Sequence, residues 1–282
     1  MVTLPGSVLE RYDRFSLYNS PYPAHDAGSA VDLYPGGQSA PSPVAGEVLA
    51  TRTVRCPAKP YAADRDHLLL VDCGDLVARI LHVDPAVEVG DRVAVGEELG
   101  TLVRSGFFGQ WVDNHVHLGF RAPDQNLRRA TGSLPLDVDV DVAGVAWNGR
   151  GTVVETGSTH VGLDPPTHDG RGFAAIASDG GVPLDGGLVH YGGGGALSPM
   201  TGELSLLGAP VGRADGRDVA WGDVAVWVER DGDRRARATG LSLFASQVPF
   251  GAKVVFHEGH DLDVGDRLTV SLEAGTDPVR LG

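Results

Sequence analysis

Lysine is nearly missing from this chain: of its 23 basic residues only Lys59 and Lys253 are lysine, and the rest are arginine. Against 37 acidic residues this leaves a formal net charge of −14, with none of the clustered Lys and Arg that a phosphate backbone requires, so no nucleic-acid partner is expected. The carboxylates are spread along the chain instead of forming one tail. That pattern resembles halophilic-type acidic proteins, whose dense acidic surface tolerates its own repulsion because salt screens it. Cysteine is scarce as well, with Cys56 and Cys73 the only two. If Gly46–Val54 and His67–Asp72 pair as a hairpin, the two thiols lie several residues out of register, beyond the roughly 7 Å Cα limit of a disulfide, and two separate thiols are expected. Also missing are any run approaching the roughly 18 apolar residues of a membrane span and, in Met1–Ser20, the basic and apolar regions of a secretory signal. A cytoplasmic chain without a membrane span is the expectation.

No long stretch carries apolar residues at helical spacing, whereas 40 glycines and 18 prolines punctuate short Val-rich runs. An all-β fold follows, and 282 residues allow one large or two ordinary domains. Residues 1–24 mix aromatic and polar residues without a period and read as a loop segment. Strands are expected at Ala30–Tyr34, from Ser42 to Ala50, over His67–Asp72, Leu76–Val83 and Glu98–Val103. From Asp124 the texture changes: residues 124–138 read as a linker with a short helix over Gln125–Leu134, and residues 139–282 as a second glycine-rich, mostly β domain. Ser198–Leu204 echoes Ser42–Val48, and Val264-Gly265-Asp266-Arg267 echoes Val89-Gly90-Asp91-Arg92, which raises a degenerate repeat against the simpler possibility of recurring turn chemistry.

The chemistry-bearing stretch is His115-Val116-His117-Leu118-Gly119-Phe120. Alternate residues of a strand face one way, so both imidazoles would look into one cleft, as a metal site requires. Asp32 lies in the middle of an apolar strand and needs a partner, because a buried unpaired charge is expensive. His25, seven residues earlier across a glycine-containing turn, is available. His82 ends another strand.

In this order and spacing, His25 and Asp32, the turn-strand Ser42–Val48, Leu70-Val71-Asp72-Cys73-Gly74-Asp75, the strand ending in His82, Val89–Val93 and the closing His115–Phe120 resemble the lysostaphin-like, LytM-type murein endopeptidases. The resemblance covers about residues 25–121. It implies a duplicated hybrid motif, or barrel-sandwich, domain over residues 25–123, with Zn2+ held by His25, Asp32 and His117. It also implies that His82 and His115 handle protons and the oxyanion, and that the substrate is a peptide or peptide-crosslinked polymer. Two neutral imidazoles and one carboxylate leave tetrahedral zinc a position for water, which suits amide hydrolysis. Two departures stand out: the family separates its first His and Asp by four residues, where Gly28 stands here, and its last motif is His-Leu-His-Phe-Glu. Asp26 offers another neighbour for the site. The alternatives are that the histidines are satisfied by backbone or carboxylate, and that the chain is a non-catalytic binding or scaffolding protein on the same fold. A biotinyl or lipoyl carrier module would need a lysine at a hairpin tip, and Lys59 lacks the required flanks.

Overall fold

The structure is a computed structural model and describes residues 1–26, 28–168, 172–232, 234–275 and 277–281; Ala27 and the side chain of Asp26 lie outside the described set. The chain is all-β and divides into two compact units, Met1–Leu17 with Pro23–Val140, and Tyr18–Tyr22 with Asp141–Gly282. No helix among the described residues is long and apolar enough to cross a membrane.

The first unit is built from β1 (Val2–Pro5), β2 (Arg14–Ser16), β3 (Ala30–Tyr34), β4 (Ser39–Pro41), β5 (Gly46–Arg55) and β6 (Arg65–Asp72). It continues with β7 (Val77–Leu81), β8 (Val83–Pro85), β9 (Arg92–Val93), β10 (Glu98–Leu102), β11 (Val116–Arg121) and β12 (Leu136–Asp139). Its main sheet runs β2-β3-β11-β7-β6-β5-β9, beside a small sheet β4-β10-β8 and the pair β1-β12. The sheets stay open, so the barrel-sandwich closure implied by the resemblance is absent from the described residues. Strand β9, two residues long, ends the sheet and does not pair with β2.

Residues 1–24 are structured, contrary to the loop reading. Leu9, Tyr12, Phe15 and Leu17 are almost wholly buried, which anchors β2 against β3 in antiparallel register, while β1 pairs in parallel with β12. Their apolar residues serve a turn, a one-turn helix and two short strands in succession, so no single period shows. Residues 124–138 form no helix and no free linker. Buried Arg79 donates to the carbonyl of Leu127, and buried Arg121 to those of Asn126, Arg129 and Thr131. These bonds pin the segment down onto the sheet. Close approach is possible because Gly119 has no side chain: a Cβ there would stand 3.1 Å from the Ser133 hydroxyl. The expected strand Leu76–Val83 is broken at His82, whose φ of +68° no strand residue adopts. Cys56 and Cys73 are both free thiols.

The second unit contains β13 (Val142–Val145), β14 (Arg150–Gly157), β15 (His160–Leu163), β16 (Phe173–Ile176), β17 (Leu184–Leu188), β18 (Gly193–Leu206) and β19 (Ala209–Trp221). It ends with β20 (Val224–Arg230), β21 (Arg234–Ala238), β22 (Gly240–Leu243), β23 (Ala245–Ser246), β24 (Lys253–Val255) and β25 (Arg267–Ala274). A ten-stranded sheet runs β19-β18-β17-β22-β24-β15-β14-β25-β20-β21 over a core that includes Trp147, Val161, Leu184, Val211, Trp221 and Val254. The two echoes of the first unit fare differently. Ser198–Leu204 falls inside the long strand β18, unlike the turn that leads Ser42 into β5. The Gly-Asp turns do match: Gly90 and Gly265 both have positive φ, and the carboxylates of Asp91 and Asp266 accept the amides of Glu88 and Asp263. That likeness is local turn chemistry, available to any β protein.

Candidate metal centre

Strand pairing brings two of the candidate ligands together. Asp32 of β3 stands directly opposite His117 of β11, which stands opposite Leu81 of β7, and directly paired residues of antiparallel strands project to one face. The neighbours Val31, Leu33, Val116 and Leu118 point the other way and are fully buried, so the core fixes the register that puts Asp32 and His117 together.

His25 arrives from the helical turn Pro23–Asp26. The amide of Gly28 donates to the carbonyl of His25 and that of Ser29 to Ala24; Gly28 has a φ of +57°, and the chain doubles back so that His25 lies over Asp32. The seven-residue interval is therefore absorbed by one helical turn and one left-handed glycine. His25 Nδ1 donates to the carbonyl of Leu17 at 2.7 Å, which commits the proton to that nitrogen and leaves Nε2 with its lone pair turned to the site.

Three donor atoms converge. His25 Nε2 lies 3.3 Å from His117 Nδ1 and 3.3 Å from Asp32 Oδ1, and His117 Nδ1 lies 2.9 Å from Asp32 Oδ1. Metal–ligand bonds of roughly 2.0–2.1 Å in tetrahedral geometry give ligand edges of about 3.3 Å, so this set fits a zinc-sized ion. His115 Nε2 is also near Asp32 Oδ1, at 3.5 Å, but His115 is not in the group whose ligand atoms all come within 4.8 Å of one another. Asp32 is 2 % exposed. Burial pushes its pKa up, yet His115 and His25 beside it, with hydrogen bonds from His117 and His25, hold the carboxyl well below the usual carboxylate range. Burial depresses His115 to about 4 and lowers His117 as well, Asp32 opposing in both cases. Neutral imidazoles beside a carboxylate are the protonation states a metal needs.

His82 and His115 stand next to this cluster, with ring centroids 5.0 Å apart; His82 lies 5.8 Å from His117. Behind His82 is Asp66, completely buried. Its Oδ2 accepts His82 Nδ1 at 2.5 Å and the Ser105 hydroxyl at 2.7 Å. Its Oδ1 accepts the backbone amides of His67 at 2.6 Å and His82 at 3.1 Å. Burial would raise the Asp66 pKa, but the hydrogen bond and charge of His82, aided by Ser105 and the His67 amide, lower it overall. One carboxylate thus grips both ring and backbone of a histidine in a strained left-handed conformation. The Nδ1 proton is directed at Asp66 and Nε2 is left as the basic atom. His115 is oriented likewise, Nδ1 donating to the carbonyl of Asp113 at 2.8 Å. Phe108 covers both rings, 5.1 Å from His82 and 4.7 Å from His115, and the Arg104 guanidinium stacks on Phe108 at 4.7 Å.

All five residues singled out in the sequence, His25, Asp32, His82, His115 and His117, therefore meet at one place. Asp66, Ser105 and Phe108 were not among them. Asp66 could have been suspected on the argument that applied to Asp32, an acid abutting the apolar run Leu68-Leu69-Leu70-Val71. Ser105 and Phe108 carry no such signal. His67 contributes only its amide; its Nε2 faces the exposed Asp84 at 3.5 Å.

Residues 3–138 match the family model described as the domain of unknown function (DUF8155) N-terminal domain, and residues 143–273 match the DUF8155 C-terminal domain. The chain carries both DUF8155 domains in order. No curated protein matches it. Among solved structures, the NMR solution structure of lysostaphin is similar with a TM-score of 0.28 and 14% identity, over 93% of this chain and 88% of that one. A likeness so slight says nothing about what the DUF8155 domains do, and the functional reading rests on the site itself.

Proposed function

We propose that this DUF8155 protein is a zinc-dependent hydrolase of peptide bonds, acting on a polypeptide or peptide-crosslinked polymer. The observation that carries the proposal is the convergence of His25 Nε2, Asp32 Oδ1 and His117 Nδ1 at tetrahedral spacing, beside two histidines whose Nδ1 protons are already committed elsewhere. Zinc held by such a set supplies Lewis-acid polarisation of a carbonyl and acidification of water. His82, with Asp66 fixing its tautomer, keeps Nε2 free to take a proton from an attacking water and to return it to a leaving amine. His115, 5.0 Å from His82 between ring centroids, has its Nδ1 proton held by the Asp113 carbonyl and so presents Nε2 as a second proton acceptor beside the site.

A second reading, a metal-binding protein without turnover, is favoured by the depth of the site: His25, Asp32 and His115 are each 2 % exposed. Metal analysis of the purified chain with H117A and D32A, together with peptide hydrolysis by wild type and H82A, tests both. The hydrolase reading expects one zinc per chain, lost in H117A and D32A, and turnover lost in H82A with zinc retained. Zinc without turnover leaves the second reading, and a wild-type chain that takes up no zinc removes both.

A further inference from the structure

The metal centre lies under cover. The side chains of His25, Asp32, His82 and His115 are 2 to 8 % exposed, and even His117, the most open of the five, is 14 % exposed. A peptide that brings its carbonyl to a metal on these ligands and its nitrogen to His82 needs more room than that. The cover is a single segment of the same unit. Phe108 stands 5.1 Å from His82 and 4.7 Å from His115 between ring centroids, and Phe107 stands 6.4 Å from His82. Phe108 is itself half-buried, so its ring is the layer between the two histidines and the surface.

The segment has the construction of a lid. β10 ends at Leu102 and β11 begins at Val116, with no strand or helix between them. Both ends of the segment are anchored. The Ser105 hydroxyl donates to the wholly buried Asp66, while Asp113 pairs with Arg14 at 2.8 Å and its carbonyl accepts His115 Nδ1. The middle, Gly106–Val112, is fastened by side chains. Arg104 donates to the carbonyls of Val112 and, at 2.9 Å, of Gly109, and its guanidinium also lies 4.7 Å from the Phe108 ring and 5.1 Å from that of Tyr61. The Tyr61 hydroxyl donates to the Phe108 carbonyl at 3.0 Å, and Gly106 sits so close to the Pro57 carbonyl that no side chain would fit there. Pro57 and Tyr61 belong to the loop between β5 and β6. One loop fastened to another by side chains opens at lower cost than a strand inside a sheet.

We propose that Gly106–Val112 is a lid over the metal centre, latched by Arg104, and that a peptide enters when the Phe108 ring swings off His82 and His115. Arg104 is the latch because one guanidinium holds two carbonyls of the segment and the covering ring together. A lysine keeps the charge but neither the fork nor the flat face. The inference rests on the hydrolase reading for what enters, and it makes the depth of the site the closed state of an enzyme.

Diethyl pyrocarbonate tests the lid, because it acylates an unprotonated imidazole nitrogen that solvent can reach. The full chain, zinc-loaded and zinc-stripped, is labelled briefly and the modified histidines are located by mass spectrometry. F108A and R104A are expected to speed labelling of His82 and His115 at least about tenfold, and R104K by roughly threefold. The half-buried His67 and the buried His190 should label at wild-type rates, and thermal melting confirms folding. Wild-type labelling of His82 and His115 in R104A and F108A would overturn the proposal, as would a rise that His190 shares. If neither alanine variant folds, R104K decides, and wild-type labelling there overturns the proposal equally. Peptide cleavage by the wild-type chain separates the two levels. A chain that cleaves peptide while the variants label like wild type loses the lid and remains a hydrolase. A chain that never cleaves peptide, yet has both histidines uncovered by R104A, keeps the lid and loses the hydrolase reading.

Discussion

Replacing Asp66 by Asn isolates what the buried carboxylate does. Oδ1, which accepts the amides of His67 and His82, is kept by an asparagine oxygen, so the backbone geometry around the left-handed His82 has its acceptor. Oδ2, which accepts His82 Nδ1 and the Ser105 hydroxyl, becomes an NH2 group. Two donors then face a donor, and the least costly response is for Ser105 to rotate and for His82 to move its proton from Nδ1 to Nε2. Hydrogen bonds to a charged group are each worth about 1.5–3 kcal/mol; with neutral replacements recovering part of two, the net loss is ~2–3 kcal/mol. For a unit of this size that lowers the melting temperature by roughly 5–10 °C. The new tautomer puts a proton on the atom proposed to accept one, so kcat for peptide cleavage should fall by about 10²–10⁴, with zinc content unchanged because His82 is outside the proposed ligand set. Nitrogen-15 spectra of the imidazole ring should show the proton on Nδ1 in the wild type and on Nε2 in D66N. A D66N chain that keeps the wild-type tautomer and melting temperature would refute the reasoning.

Chelation gives a second prediction: if zinc is present at about a thousand times its dissociation constant, removing it costs about 4 kcal/mol, and H25A should abolish that difference between loaded and stripped protein. Acid should destabilise the second unit through His190, which burial, with a contribution from Arg280, depresses to about 3. Below the ordinary value of about 6.5 the unfolded chain takes up a proton that the folded one refuses, so stability falls by up to about 1.4 kcal/mol per pH unit between pH 6.5 and 3. The H190Q variant should lose about 2 kcal/mol less than wild type between pH 6 and 4.5; parallel acid-unfolding curves would contradict this. Phe108→Ala removes a ring stacked between Arg104 and the two histidines and should cost ~2 kcal/mol, measured by urea unfolding. It should also raise exchange of the His115 ring protons with solvent, and an unchanged exchange rate would show that Phe108 does not shield them.

The strand alternation of His115 and His117 and the lone acid in Ala30–Tyr34 were legible because a period of two is a local property of the backbone. The all-β class was legible for the same reason, written in glycine, proline and valine. The first 24 residues were not, because Leu9, Tyr12, Phe15 and Leu17 are buried by a turn, a one-turn helix and strands too short to show a period. Nor was the structured character of residues 124–138, which depends on Arg79 and Arg121 being buried, against the usual preference of arginine for the surface.

Chemical identity was settled by the sequence alone: which donors exist, that Asp32 is an acid among apolar residues and so must find partners, and that the surface is acidic. Position was settled only by the fold. Whether His25 reaches Asp32 depends on one helical turn and a left-handed glycine. Whether Asp66 meets His82, and whether Asp32 meets His117, depends on register between β6 and β7 and between β3 and β11. A slip of one residue would turn each of those side chains to the opposite face. Local order carries the period of a strand, but the pairing that aligns one strand with another is decided by the core they bury together.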